Sequence, residues 1–577
     1  MYVKKLLNVH LWAWIFFTIF TLALGCGGKN MNAPVSSEDR TPKKKPNFIT
    51  LVMDDMGWSD CGFMGSEIPT PNIDNLANNS TVFTNFYAAS TSSPSRSQLF
   101  TGKDCHQVGA GTMCGYILPQ LKGKPGYECT LQFYAPTFAE VLQDEGYHTM
   151  FTGKWHLGMK DELLPNARGF KDARGVILEG VANFFANDDG SIIPEMPPAA
   201  YKRYNRKTFW NENGKELTHF PKDFYATNYL TDKAIDMLKV KPKNKPFYLN
   251  ISYNAVHFPL QAPEEVTKKY MSTYSKGWDI IRKERFERQK ALGYFSSDAV
   301  LPKRDDVPAW DSLSEKEKQI ETKKMAIYAA MLDIVDQNIG ILIKHLKESG
   351  EYENTVIIFL SDNGASSRDP SVDKAYHMVD WIKKNFDNSY ESLGTKRSYF
   401  GITKGWAMAA NTPFNRFKAT MYEGGVHTSA FVHYPKAKKS YKKYDCVTSI
   451  MDIAPTILEL ADISYPKEYK GKSLSPMQGV SFAGLIQDKS FKSVCDKNRY
   501  LGWEFVGIKG LRYGDLKLSQ EGGDNEFHFF NLSEDPFETD ELSKKLPEKF
   551  EELKKVYKKY QEENGVVDIP NKIGAGG

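Results

Sequence analysis

Cysteine is scarce in this chain, with seven residues among 577. That density excludes a disulfide-scaffold protein. Cys61, Cys105, Cys114, Cys129, Cys446 and Cys495 include no pair at metal-ligand spacing. Export would permit disulfides, but the sequence leaves their pairing open. An excess of one charge is missing too: 75 Lys and Arg against 71 Asp and Glu leave a formal +4. The near-balance excludes nucleic-acid or other polyanion binding through bulk charge. Mean hydropathy is −0.48, which excludes a polytopic membrane protein. Internal repeats are absent, so a solenoid is excluded. What is present, 41% hydrophobic and 25% charged residues, is an ordinary globular mixture.

One apolar run stands apart. Leu11 to Gly25 follows Lys4 and Lys5 and has fifteen residues, short of the roughly 20 that span a bilayer. It reads as a signal-peptide core. Its end, Ala23-Leu24-Gly25-Cys26, resembles a bacterial lipobox, which would place lipid on the Cys26 thiol. Residues 27–46 are polar and read as a tether. The expectation is an exported bacterial lipoprotein, periplasmic or anchored to the outer membrane. An ordinary secretory signal and an uncleaved anchor stay open.

Beyond Pro46 one pattern recurs. Short apolar runs at 47–53, 148–152, 246–253 and 355–360 each lead into polar residues: Asp54-Asp55, Gly153-Lys154, His257 and Ser361-Asp362-Asn363. They read as buried strands. Between them, 137–145, 232–238 and 323–346 carry apolar residues at helical spacing. Strands alternating with helices predict an α/β sheet covered on both faces. Ligands bind such sheets at the carboxyl ends of the strands, so the four runs aim at one site. Residues 263–323, rich in Lys and Glu, read as surface helices, and 365–412 as a long irregular insertion of the functional sort. Past about 465 the chain changes to short antiparallel strands (500–505, 507–513, 515–518) and an amphipathic helix (546–563). The expected domains are 47–464, catalytic, and 465–577, a smaller α+β subdomain.

Asp54, Asp55, Asp362 and Asn363 offer hard oxygen donors suited to Ca²⁺ or Mg²⁺. Brought together, three carboxylates would repel unless a metal neutralised them. Singly, each pair reads as a turn or helix cap. Ser92-Ser93-Pro94-Ser95-Arg96 reads as a helix start, with Pro94 in the first turn and Ser92 or Ser93 near the cap. A helix start is an anion site in waiting.

Ser92-x-Pro94-x-Arg96 followed by Thr101-Gly102-Lys103 resembles the signature of the type I sulfatases, which depend on formylglycine. Gly153-Lys154-Trp155-His156-Leu157-Gly158 resembles their second signature. Asp54-Asp55-Met56-Gly57, Ser361-Asp362-Asn363-Gly364, His257 to Pro263, Asn411 to Lys418 and Glu423-Gly424-Gly425 match as well, in the family's order. The likeness spans about Asn47 to Leu542 and is nearest the bacterial arylsulfatase branch. It implies an alkaline phosphatase-like fold: a large, mostly parallel mixed sheet between helices, with a C-terminal α+β part on a short antiparallel sheet.

The resemblance further implies that Ser92 is oxidised to Cα-formylglycine by an anaerobic-type sulfatase-maturating enzyme. Asp54, Asp55, Asp362, Asn363 and the modified Ser92 would hold the cation, Ca²⁺ or possibly Mg²⁺. Arg96, Lys154 and Lys418 would hold the sulfate and its nucleophile. His257 would protonate the leaving oxygen and His156 would release the bound sulfate. Taken alone, Lys418 reads as a surface charge and either histidine as structural; their joint occurrence decides. His106 and His427 are given no catalytic role. The expected substrate is a sulfated saccharide or an aryl sulfate. The alternatives are a phosphomonoester or phosphonate hydrolase of the same superfamily, or a silent sulfated-glycan binder if Ser92 stays unmodified.

Overall fold

The structure is a computed structural model. It describes residues 44–304, 306–437, 441–487, 495–496 and 498–571, apart from the side chain at 376. The expected signal peptide, the Cys26 lipid site and the tether as far as residue 43 lie outside the described residues.

Ten strands form the main sheet. In chain order they are β1 (Asn47–Met53), β2 (Thr81–Tyr87), β3 (His148–Lys154), β4 (Asp172–Ile177), β5 (Trp210–Glu212), β6 (Lys215–Glu216), β7 (Phe247–Ser252), β8 (Thr355–Ser361), β9 (His427–His433) and β10 (Thr448–Ser449). Across the sheet the order is β10-β2-β9-β8-β1-β7-β3-β4-β5-β6. The central four, β8, β1, β7 and β3, are mutually parallel. β9 runs antiparallel to β8 and β2, and β5 to β4, so the sheet is mixed. The four apolar runs of the sequence are these parallel strands, and their carboxyl ends lie along one edge.

Both faces are covered. Alternate residues of a strand point to opposite sides. Ile49, Leu51 and Met53 of β1 join one hydrophobic core, and Phe48 and Val52 join the other. The helix Glu315–Glu348 runs through the first core and begins in a Ser314/Glu317 capping box. It is long and apolar enough to cross a membrane, but most of its apolar window is buried in the protein. Its apolar periodicity starts only near Lys323, so the sequence pattern missed its first two polar turns.

Two segments differ from expectation. Within 263–323, the helix Trp278–Ala291 is half core: Trp278, Ile281, Arg285, Phe286 and Gln289 are buried. Arg285 reaches inward to Asp60 at 2.7 Å and Glu67 at 2.8 Å, and these partners make burial of a charge tolerable. The segment 365–412 is not irregular throughout. It contains the helices Val379–Asn385 and Lys404–Ala410, the second wholly buried except at its first residue.

A hairpin, β11 (Glu468–Tyr469) and β12 (Lys472–Ser473), precedes the C-terminal sheet. That sheet has four antiparallel strands in sequence order: β13 (Tyr500–Phe505), β14 (Ile508–Tyr513), β15 (Leu516–Ser519) and β16 (His528–Asn531). β16 was not foreseen. The helix Pro547–Asn564 lays Leu553, Tyr557 and Tyr560 on it. Lys45 onward forms one compact unit.

Candidate active site

The carboxyl ends of β1, β8 and β3 and the start of the helix Ser92–Thr101 meet at one point. Asp54, Asp55, Asp362, Asn363, Ser92, Arg96 and Lys154 are each at most 2% exposed. Lys154 Nζ donates to both oxygens of Asp54 at 2.7 Å and lies 3.3 Å from Ser92 Oγ. Ser92 Oγ lies 3.3 Å from Asp54 Oδ1 and 3.4 Å from Asn363 Oδ1. Arg96 pairs with Asp362 at 2.8 Å and donates to the Lys154 carbonyl at 2.8 Å. Asn363 Nδ2 donates to Asp55 Oδ1 at 2.7 Å, and Lys418 Nζ reaches the same oxygen at 2.5 Å.

Local backbone makes this possible. Ser92 is the first residue of its helix, with Thr91 in the cap position and no side-chain cap bond. Ser92 thus lies next to the cap, as the sequence suggests, and its Oγ faces the carboxylates rather than capping the helix. Gly153 has φ 94°, and a Cβ there would lie 1.9 Å from the Ser252 carbonyl oxygen. Only glycine lets β3 pass β7 so closely and still present Lys154.

Electrostatics divide the acids. Burial pushes Asp54 up to about 7 against the pull of Lys154. Burial would raise Asp55 as well, but Lys418, His257 and Lys154 together hold it well below the carboxylate range. Asp362 is likewise held low, by Arg96 and Lys154 against its burial. The second oxygen of Asp55 is buried without a hydrogen-bond partner.

The histidines flank this cluster. His257 shares its Nδ1 proton with the Phe258 carbonyl at 2.8 Å, which turns Nε2 toward Asp55 Oδ2 at 3.5 Å. Burial pushes it down to about 3, with Asp55 opposing. The His156 carbonyl accepts from Ser93 Oγ at 2.8 Å. Its Nδ1 is buried without a partner, and its Nε2 lies 3.9 Å from Glu179 Oε1. Burial and the Lys154 and Arg96 cations hold it well below its usual value. Glu179 was missed in the sequence, although Val176-Ile177-Leu178 leads into it with the same apolar-run pattern.

Asp54, Asp55 and His257 present ligand atoms within 4.8 Å of one another. With Asp362 and the Asn363 amide oxygen this is a hard, oxygen-rich donor set carrying an orphaned carboxylate oxygen. It fits a hard divalent cation. Asp104, Cys105 and His106 also cluster, but both His106 nitrogens are engaged, by Asp104 at 2.8 Å and Glu504 at 3.0 Å. His427 is similarly closed in, between Glu423 at 2.7 Å and the Thr84 carbonyl at 2.8 Å.

A family model described as Sulfatase matches residues 46–463. The chain is 37% identical over 545 residues to an uncharacterized sulfatase of Schizosaccharomyces pombe, covering 92% of this chain and 95% of the relative. The chain belongs to the sulfatase family. It is 34% identical over 448 residues to an arylsulfatase of Klebsiella aerogenes, covering 78% of this chain and 93% of that one. A second model, described as N-sulphoglucosamine sulphohydrolase, C-terminal, matches residues 414–564. The solved structure of Ps i-CgsB in complex with k-i-k-neocarrahexaose shares the fold, with TM-score 0.61 and 24% identity over 90% of this chain and 94% of that one. This sulfatase hydrolyses sulfate esters.

The cysteines resolve in part. Cys446 pairs with Cys495, a bridge that spacing alone could not assign. Cys61, Cys105 and Cys129 are buried thiols.

Proposed function

We propose that the sulfatase works through Cα-formylglycine made from Ser92 and a divalent cation, Ca²⁺ in the first place, held by Asp54, Asp55, Asp362, Asn363 and the modified residue. The observation that carries this is the burial of Ser92 Oγ within 3.4 Å of Asp54, Asn363 and Lys154 together. The cation, held by these residues, would supply Lewis-acid chemistry to the sulfate and its nucleophile. The modified residue would supply paired hydroxyls at the place where Ser92 Oγ now lies.

The chain's own groups do the rest. Arg96 fixes Asp362 and the Lys154 carbonyl, so the helix bearing Ser92 is locked to β8 and β3. Lys154 and Lys418 place two ammonium groups beside the acids, where they neutralise an incoming anion's repulsion. Lys418 also lines the open cleft, where it meets the sulfate first. His257, its Nδ1 proton tied to Phe258, offers Nε2 to the leaving oxygen. An arriving sulfate adds negative charge beside it and favours its protonation, as a general acid needs. His156, kept neutral by burial and by neighbouring cations, is fit to accept a proton.

Sulfated saccharides and aryl sulfates are the proposed substrates. The C-terminal match to a sulphoglucosamine sulphohydrolase supports the former and the likeness to an arylsulfatase the latter. Export with lipid on Cys26 is also proposed. The Cys446–Cys495 bridge suits an oxidising compartment. Side-by-side turnover of 4-nitrophenyl sulfate and 4-nitrophenyl phosphate by the matured enzyme, before and after chelation, tests the reaction. Sulfate should be strongly preferred and chelation should abolish turnover. Preference for phosphate, or activity indifferent to chelation, would refute it.

A further inference from the structure

A cavity of about 880 Å³ is lined by Thr91 and Lys418, next to the buried cluster, and by two unlike sets of residues. This volume lies near the upper end of small-molecule sites, so it holds far more than a sulfate group. One wall is carbon: Tyr116, Ile117 and Leu118 from a loop of the main body, and Phe505 and Ile508 from the C-terminal sheet. The Tyr116 and Phe505 rings lie 5.9 Å apart. Met113, Tyr116 and Leu118 pack on the buried cluster of Leu501, Trp503 and Ile508, which holds the wall in place.

The other wall is rich in carboxylates. Asp306, Glu317, Glu321, Asp369, Asp373 and Glu521 line the cavity, against only Arg368 and Lys404 besides Lys418. Most of these charges are already paired, Asp306 also with Arg304 at 2.9 Å, and among the described cations of the lining only Lys404 has no acidic partner. Arg368 lies 3.5 Å from Asp373, and Lys324 lies 2.8 Å from Asp369. Arg416 lies 3.4 Å from Asp306 and 2.7 Å from Glu521. A second sulfate on the substrate would find, Lys404 apart, only cations already committed to carboxylates, and a charge brought out of water without a partner of its own costs free energy. An apolar face would meet the carbon wall and lose water.

We propose that this cleft selects sulfate esters that carry a single sulfate on an otherwise uncharged body with an extended apolar face. Tyr116, Ile117, Leu118, Phe505 and Ile508 are the specificity-determining contacts. Chains with sulfate on successive units are disfavoured. The proposal rests on the sulfatase reading and narrows its substrate class.

A series of 4-alkylphenyl sulfates, methyl to hexyl, tests it, because the leaving group's acidity stays constant along the series. The matured enzyme should show kcat/KM rising roughly fourfold per methylene until the cleft is filled. A trisulfated disaccharide should turn over at least about tenfold more slowly than its monosulfated counterpart. Leu118→Lys should flatten the alkyl series and narrow the gap between the two disaccharides. The wild-type series decides even if that variant does not fold. A flat series together with faster hydrolysis of the trisulfated sugar would overturn the proposal while leaving the sulfatase reading intact. Failure on every sulfate ester would instead bring down the sulfatase reading, and this proposal with it.

Discussion

Asp55 and His156 both sit in the left-handed backbone region, with φ 59° and 54°. Such strain in residues with a Cβ persists only where surrounding structure enforces it, and it gathers at functional sites. Each of these two residues also carries a buried polar atom without a hydrogen-bond partner, Asp55 Oδ2 and His156 Nδ1. If His257 protonates the leaving oxygen, its removal should matter in proportion to how badly that oxygen leaves. His257→Ala should cut turnover of an alkyl or sugar sulfate by about 10²–10⁴-fold and that of 4-nitrophenyl sulfate much less; equal losses on both would argue against proton donation. Asp54 gives a pH prediction. Its folded-state value, about 7, lies above that of the unfolded chain, so in metal-free protein its contribution to stability is present at low pH and fades as pH rises through about 7. A cation needs the ionised form, so its stabilisation grows over the same window. Thermal melts should show a larger gain from Ca²⁺ over chelator at pH 8 than at pH 5.5. Asp54, Asp55, Lys154, Asp362 and Asn363 could be picked out as candidates because motif and strand end coincide there, Ser92 and Arg96 because a motif meets a helix start, and Lys418 only through the resemblance. Glu179 was not read, because its contact to His156 becomes visible only once β4 is placed beside β3.

At the level of elements, the strand ends decide where chemistry can occur. β3 delivers Lys154 only because Gly153 lies against the β7 backbone. Gly153→Ala would set a methyl group 1.9 Å from the Ser252 carbonyl oxygen, where neither backbone can yield cheaply. We expect a marked drop in melting temperature and loss of activity together. An unchanged melt would show that β3 and β7 can separate. The four parallel strands could be read from composition because both of their faces are buried, which leaves continuous apolar runs. The antiparallel neighbours β2 and β9 mix polar and apolar residues and were not read. The helix Trp278–Ala291 was misjudged for a related reason. Its inward face carries Arg285 and Gln289, and burial of a guanidinium becomes legible only when Asp60 and Glu67, more than 200 residues earlier, are seen beside it.

Across the whole molecule, the C-terminal sheet is part of the active enzyme's architecture. Lys517 of β15 is fully buried and joins Glu423 at 2.6 Å and Glu538 at 3.0 Å. Glu423 in turn accepts from Tyr87 Oη at 2.8 Å. Trp503 Nε1 donates to the Ala88 carbonyl at 2.9 Å, four residues before Ser92. Lys517→Met should cost about 3–5 kcal/mol by taking the ammonium from two buried carboxylates, of which Glu423 keeps His427 and Tyr87, read as a lower unfolding midpoint in denaturant; a midpoint within error of wild type would mean the junction is not coupled in this way. The near-neutral net charge concealed all of this. A few fixed cations surround three buried carboxylates at the candidate site, a local arrangement that the total charge does not reveal.

The central claim is that sulfate transfer runs through an oxidised Ser92. Mass spectrometry of the peptide containing Ser92, from a preparation of measured sulfatase activity, tests it most directly. The account predicts a fraction lighter by two hydrogens, rising in step with specific activity across preparations. A fully active preparation in which Ser92 is intact serine would contradict it.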